Sequence, residues 1–408
     1  MEVQTPESVS GARGRPTRGP RRAARARSAR DSWSQWRAGA GAPYTLGVEE
    51  EVMLLDARDR WPAPVSEHVR DRLPEDLAEH VSLETHAAVL ELATGVHADV
   101  RGAAGEIGVL RRGLARELKP SGLAAASAAM HPLAGAEATR VCQSPRYRIV
   151  SRSMRWLAQR DPTLALHVHV GVPDPEEAVR LLNRLREDVP ILLALSANSP
   201  YRHGEDTGFA STRTSVFGGF PRTGIPRTFA GYADYVQSIE PLIASGALPD
   251  PTFLWWDVRL QPRLGTVEVR AMDAQTSIAE TAALAALVQS LARLTLEGET
   301  RHLPVASEVL AENCFLAARD GMDARLVDPG ARTLVPVRAL AEALVDDCRP
   351  HAAALGCAAE LAGVHRLAYA NGAARQRAWC SAGGDLRSML TAIITQFAPD
   401  PSSLTSPT

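Results

Sequence analysis

The stretch Gly47-Val-Glu-Glu-Glu-Val-Met53 sets three consecutive glutamates in an apolar frame. On a β-strand successive side chains point to opposite faces, so Glu49 and Glu51 share one face while Val48, Glu50 and Val52 take the other. Three further segments repeat the pattern. Leu166-His-Val-His-Val170 puts His167 and His169 on one side and valines on the other. Trp256-Asp-Val-Arg259 pairs Asp257 with Arg259, and Thr266-Val-Glu-Val-Arg270 pairs Glu268 with Arg270. Alternation alone fits any half-exposed antiparallel sheet. The polar face is the specific part: Glu, His, Asp and Arg fill it, where a solvated face would carry Ser, Thr and Lys.

Bringing Glu49, Glu51 and Glu268 together would raise their pKa values by mutual repulsion unless something positive sat between them. Divalent hard cations meet that need, and carboxylate oxygens without thiolates suit magnesium or manganese. A fifth acidic element is Leu83-Glu84-Thr-His-Ala-Ala-Val-Leu-Glu91-Leu-Ala-Thr94. Glu91, flanked by Leu90 and Leu92, stands alone opposite the apolar face, a pattern that an edge-strand acid would show equally. His167 and His169 have no cysteine or third histidine near them in sequence, although the fold could bring in His131. Structural or substrate-contacting roles therefore fit them better than zinc ligation. Arg259 and Arg263 fit equally well as structural partners of the acids.

Lysine is confined to Lys119, which excludes a Walker-type lysine; any bound phosphate must be held by arginine, backbone amides or metal. Glutamate-bearing strands with arginines and no P-loop imply phosphate chemistry through a metal clamp, two or three ions bridging the phosphates of ATP. Arginine forks can hold the γ-phosphate and an acceptor carboxylate, and an acyl phosphate so made is open to attack by an amine. The same acids and histidines would also serve a two-metal hydrolase of phosphate or amide bonds.

The rest of the chain frames this constellation. At 408 residues, 45% hydrophobic and 23% charged, it has the make-up of a globular protein with a substantial core. No apolar run approaches the ~18 residues of a membrane span; the longest, Val189–Ser196, has the character of a buried helix. A net charge of −2 gives no field to draw in nucleic acid. Residues 11–30 hold eight arginines among Ser, Thr, Gly, Pro and Ala, so residues 1–41 are expected to form a disordered tail. Arg21-Arg22 has no apolar stretch after it and is not an export signal. A single catalytic domain is expected over 42–400 and a flexible tail over 401–408. The cysteines Cys142, Cys314, Cys348, Cys357 and Cys380 lack zinc-ligand spacing, which fits a reducing cytoplasm.

Helices are predicted from Asp174 (N-cap, then Pro175) to about Asp188, and from the capping box Ser277-Ile-Ala-Glu280 to about Glu297. Segments 99–118, 335–356 and 384–397 also have helical periodicity. The Gly-, Ser- and Arg-rich stretch Tyr201–Phe229 is expected to be a lid, with Arg213, Arg222 and Arg227 facing an anion.

At these residues the sequence resembles the bacterial carboxylate–amine ligases of glutamate–cysteine ligase type 2, within the glutamate–cysteine ligase superfamily. The likeness runs from about Tyr44 to Phe397, most specifically in GVEEEVMLLD (47–56), LETHAAVLELAT (83–94), HVHVGV (167–172), LLALSANSPYRHGEDTG (192–208) and WWDVRLQPRLGTVEVRAMDAQT (255–276). It implies an α+β fold like that of glutamine synthetase, its antiparallel sheet curled into a funnel with helices on the outer face. It also implies ATP and magnesium (two or three ions, with manganese as a substitute) at the sheet's carboxylates. The matched metal ligands are Glu49, Glu51, Glu84, Glu91 and Glu268. His169 matches a histidine near the amino-acid substrate, and Arg213 and Arg270 match arginines holding phosphate or substrate carboxylate. Arg319 falls in a retained Ala-Ala-Arg run expected to contact nucleotide. Where the family usually has a basic residue and Trp after Glu312-Asn313, this chain has Cys314-Phe315. That departure leaves open a weakly active or non-catalytic ATP-binding member with another amine acceptor. The implied partners are amino acids and ATP, with no nucleic acid and no membrane; self-association into a homo-oligomer is left open.

Overall fold

The protein is described by a computed structural model over residues 33–38, 43–298 and 305–399. Its framework is a seven-stranded antiparallel sheet. The strands are β1 (Leu46–Asp56), β2 (Val81–Leu83), β3 (Val89–Ala93), β4 (Leu123–Ala126), β5 (Ala165–Gly171), β6 (Val258–Gln261) and β7 (Thr266–Asp273). They lie in the order β6-β7-β5-β1-β3-β2, with β4 pairing the second half of β1. The helices used below are α1 (Val100–Leu118), α2 (Pro145–Met154), α3 (Pro175–Ser196), α4 (Thr212–Phe217), α5 (Ile278–Glu297), α6 (Ser307–Asp320), α7 (Val337–Leu355) and α8 (Leu386–Phe397).

The alternation along β1 sorts its side chains between two environments. Leu46, Val48, Val52 and Leu54 enter the main core, where α1, α3, α5 and α7 cover one face of the sheet and one another. Glu49 and Glu51 face the other way. Farther along that same face, Met53 and Leu55 join a second apolar cluster with Val89, Ala126 and the α8 residues Met389 and Ile393. One sheet face is therefore polar at one end and sealed by a helix at the other.

Glu50 sits on the helix side, fully buried, and accepts a two-pronged bond from Arg111 of α1 at 2.8 and 2.9 Å. Arg111 also donates to the carbonyls of Thr276 (2.8 Å) and Gln275 (2.9 Å), tying α1 and β1 to the start of α5. A buried charge of this kind is tolerable only with its partners in place.

Helix ends largely follow their caps. Asp174 accepts from the amides of Glu176 and Glu177, and Ser277 and Glu280 close a capping box. Helix α3 does not stop near Asp188 as expected; it continues through Pro190 to Ser196. Burial of Val189, Leu192, Leu193 and Leu195 outweighs the hydrogen bond that Pro190 removes. Residues 33–38, placed in the tail on composition, pack on the domain instead. Trp33 is buried, Trp36 donates to the Val172 carbonyl (2.9 Å), and Arg37 N–H donates to Pro262 O (2.8 Å). Two aromatic rings supply the apolar area that the arginine-rich stretch lacks. Residues 1–32, 39–42 and 400–408 lie outside the described residues.

The supposed lid is also a built part of the domain. It contains α4, capped by Ser211 with its Oγ accepting from the Thr214 amide, and short pairings at Tyr201–Arg202 and Thr223–Gly224. No helix among the described residues is long and apolar enough to cross a membrane.

Candidate active site

Strand register brings the polar residues side by side. Across β6, β7, β5 and β1, Arg259 is opposite Glu268, Glu268 opposite His169, and His167 opposite Glu49; Glu51 on β1 is opposite Glu91 on β3. The β5–β7 ladder shifts between Val269 and Met272. Such a bulge re-aims side chains, and here Arg270 Nη1 reaches Glu268 Oε1 at 2.5 Å and His167 Nδ1 at 3.4 Å.

Most of these groups front a cavity of roughly 450 Å³, although His169 and Glu268 are not among its lining residues; the volume lies within the ~300–1,000 Å³ span of small-molecule sites. Glu49, Glu51, Glu84, Glu91, His167, Arg213, Arg259 and Arg270 all line it. Two sets of side chains bring ligand atoms within 4.8 Å of one another: Glu49 with His169 and Glu268, and Glu49 with Glu91 and His167. Glu49 belongs to both sets. Its carboxylate lies 3.0 Å from His167 Nδ1 and 3.3 Å from His169 Nε2. His167 Nε2 is buried without a hydrogen-bond partner, an arrangement that leaves that nitrogen available to a ligand. The histidines thus stand among the candidate ligands, where sequence reasoning had favoured other roles. His131 lies elsewhere, Nε2 against Arg60 O and Nδ1 accepting from the Leu133 and Ala134 amides.

The acids divide by environment. Burial raises Glu91 to about 8, with repulsion from Glu49 and Glu84 adding to it. Burial likewise lifts Glu51 well above the carboxylate range, with Glu84 and Glu91 contributing, although its Oε2 accepts from the Ala165 amide at 2.7 Å. For Glu49 burial acts upward too, but the charge of His169 and hydrogen bonds to both histidines outweigh it and lower the pKa. Glu268 is fully buried and nonetheless held well below the usual range by Arg259 and Arg270, with Gln261 donating at 2.6 Å. One edge of the site is internally neutralised by arginine. At Glu51 and Glu91, burial and repulsion among the acids outweigh the pull of the arginines.

Burial lowers His167 to about 4, with Arg270 acting in the same direction. For His169 burial also acts downward, but the charges of Glu268 and Glu49 prevail and raise it. Arg213 on α4 is 4% exposed and donates to the carbonyls of Ala271 (3.0 Å) and Arg270 (3.3 Å), locking α4 to β7. The Nε atoms of Arg213 and Arg270 have no partner in the buried site.

Two expectations are corrected. Arg319 does not line the cavity: it pairs with Asp320 (2.8 and 2.7 Å) and stacks on Phe315, because it lies near the end of α6 beside that acid. Arg227 is engaged by Asp234 at 2.8 and 2.7 Å and so is not held for an anion. Arg222, in contrast, meets no carboxylate among the described residues and stacks on the cavity-lining Trp255. Cys314 and Phe315 do not line the cavity either.

Several lining residues escaped the sequence reading: His86, Arg146, Tyr147, Phe217, Phe220 and Trp255. Tyr147 on α2 donates its hydroxyl to Leu83 O at 2.5 Å, fixing the loop that holds Glu84. Only tertiary packing joins these segments to the strands, and no local pattern marks them.

The description "Glutamate-cysteine ligase family 2 (GCS2)" fits residues 45–392. Two Rubrobacter xylanophilus proteins provisionally named glutamate–cysteine ligases 2-3 and 2-1 are 44% and 42% identical to this chain over 87% of its length, covering 97% and 95% of their own. Among solved structures, the Francisella tularensis glutamate–cysteine ligase in complex with AMP superposes with a TM-score of 0.66 at 13% identity, over 90% of this chain and 91% of that one. A bifunctional glutathione synthetase from Pasteurella multocida gives 0.62 at 15% identity, over 87% of this chain and 52% of that one. At such low identity these two share the α+β fold. The match along nearly the whole domain, at the strands that build the cavity, places this chain in glutamate–cysteine ligase family 2.

Proposed function

We propose that the protein is an ATP- and magnesium-dependent carboxylate–amine ligase, joining the side-chain carboxylate of glutamate to an amine such as that of cysteine. The names of its relatives support this reading. The observation that carries it is the pair of ligand sets sharing Glu49, with Glu49, Glu91, His167 and the arginine pair lining one cavity. The donors fit hard divalent cations: carboxylate oxygens predominate, with imidazole nitrogen in each set, which suits magnesium and manganese. Glu49, Glu91, Glu268, His167 and His169 would hold them most directly, with Glu51 and Glu84 completing the acidic edge. Bound there, the ions supply charge neutralisation for transfer of the γ-phosphoryl group.

The chain's own residues do the rest. Arg213 and Arg270 present unpaired Nε–H donors to the phosphoryl oxygens or the substrate carboxylate. Glu268 and the main-chain carbonyls hold both guanidinium groups still, so little reorganisation is needed as charge develops. Phosphorylation of the carboxylate makes an acyl phosphate, and attack by the amine expels phosphate. His169, tethered to Thr266 Oγ1 at 3.0 Å, sits beside Glu49 where the amino acid would bind.

The test incubates the protein with ATP, an amino-acid mixture and magnesium, following ADP release and searching for γ-glutamyl products by mass spectrometry. Magnesium-dependent ADP release matched by one ligation product is expected. Hydrolysis of an added amide or phosphate ester without ATP consumption would overturn the reading in favour of a two-metal hydrolase. Tight ATP binding without product across a broad acceptor panel would mark a non-catalytic member.

A further inference from the structure

Resting on that ligase reading, we infer that the arginine-bearing face of α2 is a docking surface for an acidic peptide, whose terminal glutamate enters the cavity while its further carboxylates lie along Arg148, Arg152 and Arg155.

Between Glu137 and Asp161 the chain has six arginines and no acid. Of the six, Arg140 alone pairs with a carboxylate among the described residues, reaching Glu67 at 2.7 Å. Arg146 meets Thr252 Oγ1 (3.1 Å) and the Phe253 ring, and Arg160 lies over the Trp156 ring at 5.7 Å. Arg148, Arg152 and Arg155 are exposed. Along α2, Arg148 and Ile149 share a face with Arg152, three and four residues on. Tyr147 and Val150 line the cavity instead, and Arg146, exposed and also lining it, joins the two surfaces.

Local energetics run against this arrangement. The first turn of α2 has no acid, although that end of a helix favours negative charge. Arg148 and Arg152, four residues apart, repel each other. Arg155 follows the helix with a left-handed backbone (φ 54°), which is costly for a residue with a Cβ. Beside these charges Trp156 is 70% exposed and Ile149 45%. A chain of carboxylates on methylene stems, laid over this face, would relieve the repulsion and cover both apolar side chains.

Dimensions select the ligand. From Arg146 to Arg155 the chain advances about 13 Å. A single amino acid is too short to bridge that length, whereas an extended peptide covers it in about four residues. Like-facing side chains of such a peptide recur every ~7 Å, close to the ~6 Å that separates Arg148 from Arg152 along the helix axis. Guanidinium forks suit carboxylates. With a net charge of −2, the molecule as a whole offers nucleic acid no comparable attraction. The bond chemistry is that of the ligase. The glutamate side-chain carboxylate takes the γ-phosphoryl group from ATP, releasing ADP, and the amine nitrogen then displaces phosphate and gives up a proton.

The test supplies the full-length protein with ATP, magnesium and an amine mixture that includes cysteine, and compares kcat/KM for pentaglutamate with that for free glutamate by ADP release. Wild type should favour the peptide about tenfold, as several exposed arginine–carboxylate pairs allow. In the triple variant Arg148→Gln, Arg152→Gln, Arg155→Gln the ratio should fall to about one, with free glutamate as the internal measure of fold and catalysis. Fluorescence anisotropy of labelled pentaglutamate should show the same loss, and binding to wild type should weaken with salt. A wild-type ratio near one overturns the inference, as does a preference that survives in the triple variant. Tighter binding of a labelled oligouridylate than of the peptide also overturns it, assigning the face to nucleic acid. If neither substrate releases ADP, yet wild type binds the labelled peptide and the triple variant does not, the ligase reading falls and the docking surface stands.

Discussion

Glu91→Gln in the metal-free protein isolates the cost of assembling the acidic edge. In the folded chain Glu91 is held at about 8 against an ordinary value of 4.5. Below pH 4.5 the residue is protonated whether folded or unfolded and contributes nothing to the pH dependence. Between 4.5 and 8 the unfolded chain gives up the proton while the folded chain keeps it. Stability is therefore lost as pH rises, fully so above 8. At 1.36 kcal/mol per pH unit the ceiling is about 5 kcal/mol. Water entry and side-chain adjustment in an open cavity should reduce this to about 2 kcal/mol. Glutamine keeps the shape and can still accept the Ser82 hydroxyl now 2.8 Å from Glu91 Oε1. Urea unfolding in a chelator at pH 8.5 should show Glu91→Gln more stable than wild type by about that amount, with the difference vanishing near pH 4.5. With excess magnesium the order should reverse, because ion binding then stabilises only the intact acid cluster. A variant equal to or less stable than wild type at pH 8.5 without metal would refute the reasoning.

Other outcomes follow from single contacts. Arg111→Met strands the buried Glu50 carboxylate and should cost about 3–5 kcal/mol, measured by denaturant unfolding; the double variant with Glu50→Leu should recover part of the loss. Arg270→Lys removes the planar fork and should lower kcat by about 10²-fold or more with a smaller change in nucleotide KM. Steady-state kinetics decide, and an unchanged kcat would remove Arg270 from the site. Trp33→Ala should destabilise the domain by about 3 kcal/mol, seen as a lower melting temperature, because a buried ring is lost outside the expected domain boundary.

Much of the sheet was legible because β1, β5, β6 and β7 carry their alternation openly, and Glu49, Glu51, His167, His169 and Glu268 fall where the period of two puts them. Helix starts were legible where a cap announces them, at Asp174 and Ser277. The end of α3 was not: Pro190 looks like a stop, and only the buried environment of Val189–Leu195 explains its tolerance. Glu49, Glu50 and Glu51 are chemically identical in sequence, yet strand phase sends Glu50 to Arg111 and the others to the cavity. The partner at Arg111 could not be foreseen, since it comes from a helix 61 residues away. Arg319 was misread because a family position carries no information about which way its side chain turns. Phe217, Phe220 and Trp255 were invisible as lining residues because they come from α4, its following turn and the residues before β6, joined only by packing.

The account's central claim is that these strands hold carboxylates together for the sake of bound cations. Electron paramagnetic resonance of the full-length protein titrated with Mn²⁺ tests it most directly. The claim predicts at least two protein-bound ions displaced by magnesium, with Glu49→Gln, which touches both ligand sets, losing both. Free-ion spectra throughout, or binding unaffected by Glu49→Gln, would contradict it.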